Sequence, residues 1–325
     1  MNIINKYKKI IFSVVVLSAI LFFGQSAIAA VDRTFITTQD FNDFAVEPGK
    51  TEIFLNPGEH VTKQISITNR INKTVDFILS AEDLVGSDNS QQPIKLLGNE
   101  RGPYSIKDFI KPEISTFSLK FGERITIPVD ISVPTNVEPR GYYGALIVTN
   151  NPEIGPNSKP TEVEGKTRLV SRIGSILLVR VNGKGKEEGS LSDFKVIGPS
   201  KAFYEKRPEG FEIAYKNTGN VHLVPYGTIT IKNIFGKSIE VLPVNAYFAL
   251  PDSIRYHEVS WKQGFGLGRY TANLSLYKGY GTEYAESKVA FWIIPWKILL
   301  MVLVGIILIV TIGYYIATRF ELRRK

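Results

Sequence analysis

Residues 124–133 alternate without a break. Ile125, Ile127, Val129, Ile131 and Val133 are interleaved with Arg124, Thr126, Pro128, Asp130 and Ser132. A period of two puts one set on each face of an extended strand, a division that a helix cannot produce. The pattern returns at Val61, Ile65 and Ile67, at Phe211, Ile213 and Tyr215, and at Tyr270, Ala272, Leu274 and Leu276. Turn formers punctuate these runs: Asn56-Pro57-Gly58, Phe121-Gly122-Glu123, Asn182-Gly183 and Phe235-Gly236. Helix is expected in this region only as a short turn around Ser105 to Ile110. Many short strands with closely spaced turns predict an all-β fold of two tandem immunoglobulin-like sandwiches.

The division between them is expected near Asn182. A long strand, Ile173 to Val181, runs into the polar, glycine-rich stretch 182–189, and a new strand set begins at Ser190. The first sandwich is therefore placed at 30–183 and the second at 188–292. The segment Asn150 to Thr161, with three prolines, reads as an exposed loop because a strand of the first domain follows it. The two halves echo each other. Asn69-Arg70-Ile71-Asn72 and Asn217-Thr218-Gly219-Asn220 each end a strand, and Gly141-Tyr142 and Gly268-Arg269-Tyr270 each open a later one. A Tyr at that place suits a tyrosine corner.

Both ends carry membrane signals. Lys6, Lys8 and Lys9 precede the uncharged run Ile10 to Phe23, and Ala27-Ile28-Ala29 follows. This is the pattern of a secretory signal at 1–29, cleaved between Ala29 and Ala30. Ile298 to Ala317 is 20 residues without a charge, the length that crosses a bilayer core of ~30 Å. Trp292 and Trp296 flank one end, Tyr314 and Tyr315 lie near the other, and the basic tail 318–325 follows. By the positive-inside rule the tail is cytoplasmic and the sandwiches extracytoplasmic, on a single-pass cell-membrane protein.

The formal charge of +8 does not indicate nucleic acid. The signal supplies three of these charges and the tail a net three, leaving the sandwiches close to neutral and without a basic stripe. Cysteine is absent, which excludes a disulfide framework and thiol chemistry. His60, His222 and His257 form no metal-ligand spacing. Ser175 lies in a strand pattern rather than a nucleophile elbow, and the glycines of 264–268 precede a strand, so they offer no helix N-terminus to a phosphate. No catalytic set, metal or small-molecule cofactor is expected. Contact residues are a better prospect: Arg140, Tyr142 and Tyr143 cluster where a loop enters a strand, and Tyr and Arg bring large area with a polar end. Adjacent strand residues face opposite sides, so one tyrosine is expected in the core and the other at the surface.

Several stretches resemble the WxL-interacting proteins of Gram-positive cell surfaces. They are Asn56-Pro57-Gly58-Glu59 leading into 61–69, then 74–83, 125–134, 139–148 and 171–183, and in the second half 217–231 with the terminal apolar run and basic tail. Residues 217–231 and 250–261 are also similar to a broader set of bacterial membrane-anchored two-sandwich proteins. The resemblance implies a first domain that binds peptidoglycan, a second that contacts host or partner proteins, and association with surface proteins carrying WxL domains. The expected function is thus a non-enzymatic surface protein that binds cell-wall peptidoglycan or a wall-associated protein through its N-terminal sandwich. The alternatives are a scaffold that captures a partner's strand on a sheet edge and, third, a wall-modifying enzyme.

Overall fold

The computed structural model describes residues 30–150, 170–198, 202–262 and 264–319. The expected signal segment with the Ala29 side of its cleavage site, most of the loop at 150–161 and most of the basic tail lie outside the described residues.

Alternating sequence becomes strand throughout. The first domain runs β1 (Asp32–Phe35), β2 (Phe44–Glu47), β3 (Lys50–Leu55) and β4 (His60–Asn69). There follow β5 (Val75–Gly86), β6 (Ile94–Leu96), β7 (Ile110–Pro112), β8 (Thr116–Leu119) and β9 (Glu123–Ser132). β10 (Gly141–Asn150) and β11 (Arg172–Val181) close it. The helical turn of this region is a single 3-10 turn, Lys107–Phe109. One sheet has the order β1-β9-β4-β2 and the other β3-β11-β10-β5-β6. Between them Phe44, Ile65, Ile67, Phe77, Ile125, Ile127 and Val179 form the core.

The second domain repeats this plan with β12 (Gly189–Ile197), β13 (Phe203–Tyr204), β14 (Gly210–Asn217) and β15 (Tyr226–Asn233). It is completed by β16 (Ser238–Val244), β17 (Ser253–Ser260), β18 (Gly268–Tyr277) and β19 (Tyr284–Ile293). The orders are β12-β14-β17 and β13-β19-β18-β15-β16. In each domain a short early strand runs parallel to the last one, β3 along β11 and β13 along β19. This switching of an early strand between sheets, over a two-sheet antiparallel frame, is an immunoglobulin-like arrangement. Helix α1 (Trp296–Arg319) follows and is long and apolar enough to cross a membrane, with none of it buried against the sandwiches.

The sequence echo has a physical basis. Asn69 ends β4 and Asn217 ends β14, and both side chains are fully buried. The Asn69 amide donates to the carbonyls of Lys73 (2.8 Å) and Leu119 (2.9 Å), while its oxygen accepts from the Ile71 N–H. Asn217 does the same with Val221, Ala249 and Gly219. One side chain thereby supplies partners to three backbone groups that a tight turn in the interior would otherwise leave unpaired. Asn69→Ala or Asn217→Ala leaves those groups unsatisfied and is expected to lower stability by about 2–3 kcal/mol. Alanine at the exposed Asn89 should stay within about 0.5 kcal/mol in the same urea titration of the detergent-solubilised chain; equal effects at all three would contradict this account.

Candidate functional site

Every residue of β10 from Gly141 to Thr149 is buried. Tyr142 turns into the first core against Phe109, with ring centroids 4.9 Å apart. Its hydroxyl donates to the Glu138 carbonyl at 3.0 Å, closing a tyrosine corner. The corresponding Tyr270 of β18 makes the equivalent bond to Leu267 at 3.3 Å.

Tyr143 points the other way and is also buried. The expectation that one of this pair faces solvent does not hold, because the second sandwich covers that side of the sheet. Tyr143, Ala145 and Ile147 of β10, with Leu84 and Leu178, pack against Leu250 and Phe248 of the second domain. Polar bonds reinforce the junction. The Gly141 N–H donates to the Asn220 carbonyl (2.9 Å), the Ile254 N–H to Asp88 (2.7 Å), and the Tyr104 hydroxyl to Asp252 (2.8 Å). Burial, then the Asp252 bond, pushes the Tyr104 hydroxyl up to about 12.

Arg140 completes the cluster without opening it. Its guanidinium lies over the rings of Tyr104 (5.4 Å) and Tyr142 (5.1 Å) and sits 3.5 Å from the Glu138 carboxylate. Stacked and paired in this way, it braces the corner. Arg140, Tyr142 and Tyr143 do lie side by side, but Tyr142 belongs to the first core, Tyr143 to the junction, and Arg140 is stacked and paired at the corner, so they form no open contact surface.

At its centre the hydroxyl of Tyr143 accepts from the backbone N–H of His222 (2.5 Å) and meets His222 Nδ1 at 3.3 Å. His222 Nε2 lies 2.7 Å from Glu52 on β3. With the ring neutral and its proton on Nε2, that nitrogen donates to Glu52 and Nδ1 accepts from Tyr143, so every polar atom is paired. Burial holds the His222 pKa below its ordinary value, opposed by the Glu52 bond and assisted by Arg180 and Lys50. His60 is exposed, and His257 stacks on Tyr247 at 4.2 Å. Among the described residues no group of three or more His, Asp or Glu side chains could hold a metal ion.

A different surface faces water. On the outer side of the second domain's larger sheet, Tyr226 stands opposite Tyr277 and Tyr277 opposite Tyr284. The three rings make a row across β15, β18 and β19, with centroid spacings of 4.9 and 5.8 Å. Tyr226 and Tyr284 are exposed by about half. The next outward rows along the strands are Thr228, Ser275 and Glu286, then Thr230, Asn273 and Lys288. Five of these six, Ser275, Glu286, Thr230, Asn273 and Lys288, line a shallow groove of about 420 Å³. Sequence periodicity shows which residues of each strand point outward, but not that these three strands are neighbours in this register, so the row was missed.

No family model and no curated protein matches the chain. Among solved structures, it is similar to the class 5 fimbriae chaperone CfaA, at 10% identity over 78% of this chain and 100% of that one, with a TM-score of 0.36. The CsuC–CsuE chaperone-tip adhesion subunit complex of Acinetobacter baumannii gives 13% identity over 76% and 97%, with a TM-score of 0.35. The PapD-like domain 7 of human CEP192 gives 11% over 49% and 97%, with a TM-score of 0.30. Overlaps this loose carry no inference about what the chain binds.

The junction has an acid-sensitive element. A histidine whose folded pKa lies below the unfolded value of 6.5 binds its proton more readily when unfolded, so stability is complete above 6.5 and falls as the pH drops below it. The melting temperature of the full chain should hold between pH 7 and 8 and fall from 6.5 downward. His222→Gln should reduce that slope, with His257, also lowered by burial, supplying the remainder. Superimposable pH profiles for the two proteins would contradict the assignment.

Proposed function

We propose that the chain is a membrane-anchored, extracytoplasmic and non-catalytic interaction protein that binds cell-wall polysaccharide through the tyrosine row of its second sandwich. The observation that carries this reading is the row itself, Tyr226–Tyr277–Tyr284, lying beside two rows of hydroxyl, amide and charged side chains on one exposed sheet face. Sugar rings present flat C–H faces and a rim of hydroxyls. Exposed phenol rings one strand apart, ~4.8 Å, take up the faces, and the adjacent polar rows hydrogen-bond the rims.

Membership of the WxL-interacting family, with association to WxL-domain proteins, is compatible with this proposal, which departs from it in one respect. The resemblance assigns peptidoglycan to the N-terminal sandwich, whereas of the candidate residues there Tyr142 lies in the first core, Tyr143 lies beneath the second domain and Arg140 is stacked and half-buried beside them. Anchoring follows from α1, with tail inside and sandwiches outside by the placement of basic residues. A second reading, capture of a partner's extended segment, is favoured by one feature: β16 ends its sheet and exposes Ile239 and Val241 along the free edge.

Purified wall sacculi separate the two. The detergent-solubilised full chain should co-sediment with sacculi before and after protease treatment. Tyr284→Ala, at an exposed position, should weaken that binding roughly tenfold, about 1.4 kcal/mol, with melting unchanged. Binding abolished by protease treatment would favour the strand-capture reading, and unaltered binding by Tyr284→Ala and Tyr277→Ala together would overturn the platform.

A further inference from the structure

The end of the second sandwich from which α1 leaves is unusual in composition. β19 stops at Ile293 and α1 starts at Trp296. The connection is tied down, since the Ile294 N–H donates to the Tyr204 carbonyl at 2.7 Å. Strand register fixes what lies level with this exit. Ile293 is opposite Gly268 and Tyr204, while Tyr270 lies between Phe291 and Asn233. Three separate places therefore reach the same level: the β15–β16 hairpin tip beyond Asn233, the residues just before Gly268, and β13. They carry Phe203, Ile234, Phe235, Phe265 and Leu267, and Trp292 lies beside Phe203. All six are exposed, Phe235 by 90%. The other exposed large apolar side chains described for this domain are Tyr226 and Tyr284 at the opposite end and Ile239 and Val241 on the free edge.

Scattered apolar side chains on a surface need no explanation; six converging from separate segments on one end do. Exposed charges surround them, mostly basic: Lys206, Lys237, Lys262 and Arg269, against Glu209 and Glu205, the latter paired with Lys297 at 3.0 Å. Aromatic and apolar residues ringed by Lys and Arg suit the layer where acyl chains meet anionic headgroups, each base adding about 1 kcal/mol near such a surface. The two-residue connection to α1 holds this end against whatever bilayer the helix crosses.

We propose that this end is a second membrane contact, a foot that seats Phe203, Phe235, Phe265 and Leu267 in the interfacial layer of the bilayer crossed by α1. The inference rests on the reading of α1 as a membrane span. Two points of contact, a helix through the bilayer and a foot upon it, fix the tilt of the second domain. The tyrosine row lies nine residues up β19 from Ile293, about 30 Å above the foot at the rise of a strand.

Because the chain has no cysteine, single labels report cleanly. The full chain in lipid nanodiscs containing anionic lipid would carry an environment-sensitive dye at Phe235→Cys, Phe265→Cys, Ile307→Cys or, as control, Thr62→Cys. Dyes at 235 and 265 should be quenched by nitroxides placed about 5–10 Å below the headgroups and shielded at least roughly fivefold from aqueous iodide. The dye at 307 should respond to deep nitroxides, and that at 62 to iodide alone. If 307 lies in lipid while 235 and 265 are as open to iodide as 62, the foot is overturned and the span stands. If 307 is not in lipid, both fall. Shielding at 235 and 265 without lipid quenching would overturn the foot in favour of a protein contact.

Discussion

Strand β10 is enclosed on both faces, and the arrangement of the molecule depends on that. One face, through Tyr142, Leu146 and Val148, completes the first core. The opposite face, through Tyr143, Ala145 and Ile147, forms the junction with the second domain. An antiparallel sheet ordinarily keeps one side wet. Here that side would expose a band of apolar residues, so docking of the second sandwich is driven by the same burial that folds the first. Close approach is built in: a Cβ on Gly86 would collide with Ser253 across the junction. The Tyr143–His222–Glu52 chain then fixes the angle, because directional hydrogen bonds in a dry interface tolerate little rotation.

This coupling decides which surfaces are available. It removes Tyr143 from solvent and leaves the outer face of the β13-β19-β18-β15-β16 sheet open. That face then divides along its length. Tyrosines and hydrogen-bonding side chains occupy the end near the junction, and aromatic and basic residues occupy the end near α1. If α1 spans a membrane as proposed, a rigid pair of sandwiches on a short connection sets the height and tilt of the outer domain, and a flexible pair would not.

Much of this was legible in the sequence. Alternation identified the cores of β4, β9, β14 and β18, since a buried face leaves its mark on every second residue. The Asn69 and Asn217 turns and the Tyr142 and Tyr270 corners could be paired by eye, because each device needs one residue type at one place. The unbroken apolar run of β10 carried a further message, burial on both faces, which the expectation of one exposed tyrosine overlooked. Other features left no local trace. Neither the parallel pairing of β3 with β11, nor the neighbours of His222, nor the alignment of three tyrosines on three strands follows from spacing along the chain. Each depends on which strands the fold brings together.

The central claim is that the two sandwiches move as one body. Spin labels at Lys63→Cys and Glu258→Cys in the otherwise cysteine-free chain report the distance between them by pulsed electron resonance in nanodiscs. A single narrow distribution at neutral pH, broadened when Leu250→Asp disrupts the junction, is the result the account requires. A broad or multiply peaked distribution in the chain that retains Leu250 would contradict it.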